Sequence, residues 1–135
     1  MDRQYIGNKF VGPAIIVGGW KWIIDNLGWV NIVRSPDDLV YGLVYELSLG
    51  NEDTMDVSEG YPDLYNKKTV GIELEVNGKK TLAQGLIYLD ENNLEEGTPT
   101  DTYITVTNVA IKDAVPRGIP QWYVDEYIRK FVPAE

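Results

Sequence analysis

Cysteine and histidine are both absent from the 135 residues. Together these two side chains supply most metal ligands, thiol nucleophiles and near-neutral proton shuttles. Their absence excludes Ser-His-Asp and Cys-His catalysis, zinc sites of the usual kind and any disulfide framework. Proton carriers in such a chain have to be Asp, Glu, Lys or Tyr. A cytoplasmic location is the expectation, in keeping with the missing cysteines. Positive charge is also scarce: 12 Lys and Arg stand against 21 Asp and Glu, for a formal net charge of -9. No compact Lys/Arg stripe is present to neutralise phosphates, so nucleic acid and anionic membrane surfaces are poor candidate partners. No run approaches the roughly 20 apolar residues of a membrane helix, and the N-terminus lacks a basic segment followed by an apolar one. Neither a GxGxxG nor a Walker loop occurs, so no cofactor is implied. Internal repeats and low-complexity segments are missing too, and the length suits one domain over residues 1–135.

What remains is a run of strands followed by helices. Ala14 to Val17 and Trp20 to Ile24 read as two portions of a buried strand broken by a bulge at Gly18-Gly19. Asn26-Leu27-Gly28 is a turn, and Val30 to Val33 a short strand stopped by Ser35-Pro36-Asp37-Asp38. Val40 to Leu47 carries apolar residues on both faces, which predicts a central strand. Leu49 to Ser58 is polar and β-poor, and predicts one or two helical turns leading to Glu59. Val70, Ile72, Leu74 and Val76 then alternate with polar or small residues, the period of a half-buried strand. Asn77-Gly78 is the signature of a type I′ hairpin, with Thr81 to Leu89 as the returning strand. Asp90 to Gly97 reads as a solvated acidic loop. Thr98-Pro99 caps a helix whose shared face is Tyr103, Val106, Ala110 and Ala114, closed by Gly118. Pro120 to Phe131 predicts a last helix with Trp122, Tyr123, Tyr127 and Phe131 at helical spacing, stopped by Pro133. Strands with helices segregated to one end give an α+β fold: a small, strongly curved, mostly antiparallel sheet or open barrel with a few short helices.

Glu59 is the foremost candidate for acid–base chemistry. It precedes Gly60-Tyr61-Pro62, a turn able to fix a side chain, and a carboxylate set among Tyr61 and Tyr65 would lose hydration and trade protons nearer neutrality. An isolated Glu before Gly is otherwise most often a surface residue. Tyr41, Tyr45, Tyr65, Tyr88 and Tyr103 can each wall a pocket and present a hydroxyl, or can be ordinary core aromatics. Asp53 and Asp56 offer a second carboxylate for glycosidase-like work, without the long aromatic cleft that such work needs. Trp20, Trp22 and Trp29 could stack on a ring, although core packing accounts for them more simply.

Taken in order, several segments resemble the γ-glutamylcyclotransferase-like (AIG2-like) family. They are Gly12-Pro13-Ala14, Asn31-Ile32-Val33 before Ser35-Pro36, Val40 to Leu47, Met55 to Tyr61, Tyr65 with Lys67, Ile87-Tyr88-Leu89, Pro99 with Tyr103, Asn108 to Ala114, and Gly118-Ile119-Pro120 with Tyr123. The ending from Pro120 to Pro133 is similar to fungal-type members. The resemblance implies that Glu59, before Gly60 in the Asp-x-x-Glu-Gly motif, is the catalytic acid–base. It also implies that Tyr65, Tyr88 and Tyr103 line the substrate pocket, with Tyr61 beside them. The implied reaction closes a γ-glutamyl amide onto its own α-amine, giving 5-oxoproline and a free amine, with no metal and no cofactor. Implied alternatives are the same fold retooled for another cyclisation or proton transfer on a specialised metabolite, and a non-catalytic small-molecule-binding pseudoenzyme. Met1 to Phe10 do not supply the family's first strand and Tyr-Gly-Ser-Asn loop, of which Gly7-Asn8 is a faint echo. One expectation is that coding sequence upstream of Met1 carries them. Another is that the sheet keeps an open edge that invites a homodimer.

Overall fold

The computed structural model describes residues 9–46 and 66–135. The strands are β1 (Lys9–Ile16), β2 (Trp20–Ile24), β3 (Val30–Arg34), β4 (Val40–Glu46), β5 (Asn66–Val76) and β6 (Lys79–Leu89). They form an antiparallel four-stranded sheet in the order β4-β1-β5-β6 and a two-stranded sheet of β2 and β3. Helix α1 (Asp101–Ala114) follows and runs into a 3-10 turn at Val115–Arg117. The chain closes with a short α2 (Gln121–Tyr123) that widens into a π-helical turn at Val124–Ile128. The architecture is α+β with mostly antiparallel strands, as the patterning predicts.

Gly18-Gly19 is not a bulge within one strand. Both glycines have positive φ, 105° and 78°, and turn the chain from one sheet into the other. A Cβ on Gly19 would lie 2.8 Å from the Pro36 Cα, so the turn is held close against the Ser35-Pro36 bend. The hairpin is as expected: Asn77 and Gly78 both have positive φ, 52° and 77°, the type I′ signature, and Val76 faces Lys79.

β4 is also not central. Among the described residues it lies at the end of the sheet order, yet it is covered on both faces. Val40 and Val44 join the core between the sheets, with Ala14, Trp20, Ile32, Val70, Ile72 and Leu89. Leu39, Tyr41 and Leu43 join a second core under the helices, with Ile111, Ile119, Tyr123 and Val124. Two cores, rather than two flanking strands, account for its two apolar faces. Each fully buried side chain of this size contributes about 1.5–3 kcal/mol of transfer free energy.

The acidic stretch after β6 is not simply solvated. Asp90 is buried, and its backbone N–H donates to the Asn31 Oδ1 while Asn31 Nδ2 donates back to the Asp90 carbonyl, both at 2.9 Å. Asn31 Nδ2 also donates to the Asn93 carbonyl, and Asn93 donates to Asp90 Oδ2. The helix cap moves as well. Thr100, not Thr98, accepts the Tyr103 N–H at the start of α1. The expected helix from Pro120 to Phe131 is helical only to Ile128, and its second half is the π turn, in which the Arg129 N–H reaches the Val124 carbonyl.

Candidate active site

α1, β4 and the C-terminal helical segment enclose a cavity of about 130 Å3. It is lined by Tyr41, Gly42 and Leu43 of β4, by Ile119, Tyr123, Val124 and Ile128 of the C-terminal segment, and by Trp22 and Val30. The wall from α1 includes Tyr103, Val106, Ala110 and Ala114, the four residues that helical spacing places on one face of this segment, together with Thr107 and Ile111. Tyr103 sits in the first turn, where the Thr100 cap holds the backbone.

The lining is apolar apart from a few groups, and those are informative. The Thr107 Oγ1 and Tyr123 Oη are buried without a hydrogen-bond partner. An unmet buried polar atom costs about 1–3 kcal/mol, so these hydroxyls favour a polar ligand group that would satisfy them. Burial pushes the Tyr123 phenol well above its ordinary range; the Tyr41 backbone pulls weakly the other way without a well-formed hydrogen bond, and neighbouring Tyr127 and Tyr41 add to the rise. The ring is clamped between Tyr41, at 5.1 Å between centroids, and a stacked Tyr127 at 5.0 Å. Asp113 is the charged residue in the described lining, and it pairs with Arg117 at 3.3 Å one helical turn on. Arg117 donates to the Tyr45 hydroxyl at 3.0 Å and lies over the Phe10 ring, tying the rim to β1 and β4.

Beside this cavity, Lys21, Trp22, Asp38, Glu126, Tyr127, Lys130 and Phe131 line a polar hollow of about 270 Å3. Its central charges are already paired. Asp38 accepts from Ser35 Oγ and from Tyr127 Oη at 2.8 Å, and Glu96 takes Lys21 at 2.8 Å and Lys130 at 3.9 Å. Ser35, then Tyr127, hold the Asp38 carboxyl below its usual value, and that same carboxylate raises Tyr127. Among the described residues no cluster of Asp or Glu could hold a metal ion, and no helix is long and apolar enough to cross a membrane.

Of the residues the sequence singles out, Glu59, Tyr61 and Tyr65 lie outside the described residues, as do Asp53, Asp56 and the helical turn expected over 49–58. Tyr103 lines the cavity. Tyr88 is half-buried on β6 opposite Lys67, and its neighbours Ile87 and Leu89 turn into the first core. It is not among the cavity-lining residues. Trp20 is a core residue, covered by the Arg34 guanidinium at 4.3 Å from the ring centroid. Trp22 borders both cavities and packs edge-on against Phe131. Thr107 has no motif to mark it, whereas Asp113 and Tyr123 fall in segments that carry the family resemblance, though nothing there singles them out as pocket residues. Helical spacing marks Thr107, four residues from Tyr103, and Tyr123, four from Tyr127, but spacing alone does not separate a pocket wall from a core.

Comparison with known proteins gives the fold a family. A solved structure titled gamma-glutamyl cyclotransferase is similar to this chain at 21% identity and a TM-score of 0.72, covering 96% of this chain and 77% of that one. A second, described as an uncharacterized protein from Homo sapiens, is similar at 22% identity and a TM-score of 0.71 with the same coverage. No curated protein sequence is significantly similar to this one. The pattern of the AIG2-like family matches residues 39–127, which span β4, the Glu59 motif, the hairpin, α1 and the start of the C-terminal segment. The chain belongs to the AIG2-like family.

Proposed function

We propose that the chain is a γ-glutamylcyclotransferase-type enzyme acting on a γ-glutamyl amide or a related amide, with Glu59 as its acid–base. The observation that carries this is the placement of Tyr103, a residue singled out by family resemblance, in the wall of an apolar cavity also lined by the β4 residues that carry the same resemblance. The substrate brings its own nucleophile. Glu59 takes a proton from the α-ammonium, the freed amine adds to the γ-carbonyl, and the amide C–N bond breaks. Glu59 then returns the proton to the departing nitrogen, the ring nitrogen gives up its second proton to the departing amine, and the products are 5-oxoproline and an ammonium, with no water consumed.

The described cavity walls fit the task of holding rather than of proton transfer. Asp113 is engaged by Arg117, and the Tyr123 phenol is too weak an acid to exchange protons at neutral pH. Apolar walls keep water from the folded substrate and strengthen any polar contact made inside. Release of 5-oxoproline from a panel of γ-glutamyl amines and peptides, followed by mass spectrometry, tests the proposal. Glu59→Gln should lower turnover about 10²–10⁴-fold with an unchanged circular dichroism spectrum, and normal turnover by that variant would overturn it.

A second function, non-catalytic binding of an apolar or cationic small molecule, is favoured by one observation: no cation stands in the described lining to meet a glutamyl carboxylate. Saturable binding with no product, indifferent to Glu59→Gln, would distinguish it.

A further inference from the structure

The polar hollow beside the cavity is built from two parts of the chain. β2 and the bend before β4 supply Lys21, Trp22 and Asp38. The C-terminal segment supplies Glu126, Tyr127, Lys130 and Phe131. Two contacts fasten the parts together: the Tyr127 hydroxyl donates to Asp38 at 2.8 Å, and Trp22 meets Phe131 edge to face with ring centroids 6.0 Å apart. Two charges are left over. Among the described residues Glu126 has no cation beside it, and Lys130 stands 3.9 Å from Glu96, a carboxylate that Lys21 holds more closely at 2.8 Å.

The backbone accounts for the two left-over charges not pairing with each other. Glu126 and Lys130 are four residues apart, the spacing at which opposite charges meet on an α-helix. Here the turn over Val124–Ile128 is π-helical, with the Arg129 N–H on the Val124 carbonyl at 2.9 Å. Residues five apart, not four, then come one above the other, and the pair is taken out of register. Single π turns of this kind are frequent at functional sites.

Charge sets the class of ligand. The described lining holds two lysines, Lys21 and Lys130, and two carboxylates, Asp38 and Glu126, so its charges cancel. A simple anion would meet the carboxylates and a simple cation the lysines, whereas a molecule bearing both signs finds a partner for each. The volume of about 270 Å3 equals about nine waters at roughly 30 Å3 each, room for a mid-sized amino acid. We propose that the hollow binds a free α-amino acid as its zwitterion, with the ammonium on Glu126, the carboxylate on Lys130 and the side chain against Trp22 and Phe131. The site is separate from the chemistry assigned to Glu59 and does not depend on it.

Isothermal titration calorimetry of the full chain with each of the standard L-amino acids tests this. At least one should bind saturably. Its N-acetyl derivative lacks the ammonium and its carboxamide lacks the carboxylate, so each should bind at least about tenfold more weakly, the loss of one charge-assisted contact. Glu126→Gln and Lys130→Met should each weaken binding by a similar factor, and Glu91→Gln, on the connection after β6, should leave it unchanged. Glu126 and Lys130 are exposed, so both variants should keep the wild-type circular dichroism spectrum. The proposal is overturned if no amino acid binds, or if either derivative binds as tightly as its parent. It is equally overturned if either Glu126→Gln or Lys130→Met leaves the affinity unchanged.

Discussion

At the scale of single residues, the buried polar groups make the most specific predictions. Asp25 is wholly buried; its Oδ1 accepts from the Leu27 and Trp29 N–H groups, and its Oδ2 has no hydrogen-bond partner. Burial raises its pKa above 3.8, the two backbone bonds oppose the rise, and Asp90 adds to it. The folded state then holds this proton more tightly than the unfolded chain does. Stability from this group is full below about pH 4 and is lost as pH rises through the folded pKa. Asp25→Asn keeps an acceptor for both amides and removes that slope. Urea titrations across that window should show the variant gaining on the wild type as pH rises, and a parallel pair of curves would refute the assignment. Asp38 has the opposite sign: its lowered pKa means stability present above about pH 4 and lost as pH falls through the folded value. Tyr127→Phe removes one of its donors at 2.8 Å and should cost about 1–2 kcal/mol at pH 7, read by chemical denaturation. In the cavity, Tyr103→Ala should raise KM for any turned-over amide about tenfold, the effect of losing roughly 1.4 kcal/mol of binding.

At the scale of elements, local signals and long-range contacts divide the work. The Asn77-Gly78 turn, the alternation along β5 and the face of α1 were legible because each depends on residues a few positions apart. The position of β4 was not. Its two apolar faces are equally compatible with flanking strands and with two separate cores, and only packing against Tyr123 and Val124 decides for the cores. Asp90 reads as exposed from its acidic neighbours, and its burial depends on Asn31, 59 residues away. Asn31→Ala should therefore loosen the whole Asp90–Gly97 connection. Three hydrogen bonds would be lost and buried groups of Asp90 left unmet, for about 2–4 kcal/mol. Faster amide exchange at Asp90 and Asn92 is the readout, and unchanged protection would argue against the clasp.

At the scale of the whole molecule, net charge works against the compact state. The chain carries a formal -9, so its surface charges repel one another in the folded state, and stability should rise with added salt as that repulsion is screened. Urea denaturation at low and at physiological ionic strength should show the midpoint rising; a fall would point to a fold held chiefly by surface ion pairs instead.

The sequence by itself determined the excluded chemistries, since a chain without cysteine or histidine cannot perform theirs. It determined the hairpin and most strand positions, which follow from local periodicity and turn chemistry, and the ordered motifs pointed to the family. Only the tertiary structure decided which helix face walls a cavity and which carboxylates are buried. Those outcomes depend on residues brought together from far along the chain, and burial, unlike periodicity, is a property of the neighbours a residue finally has.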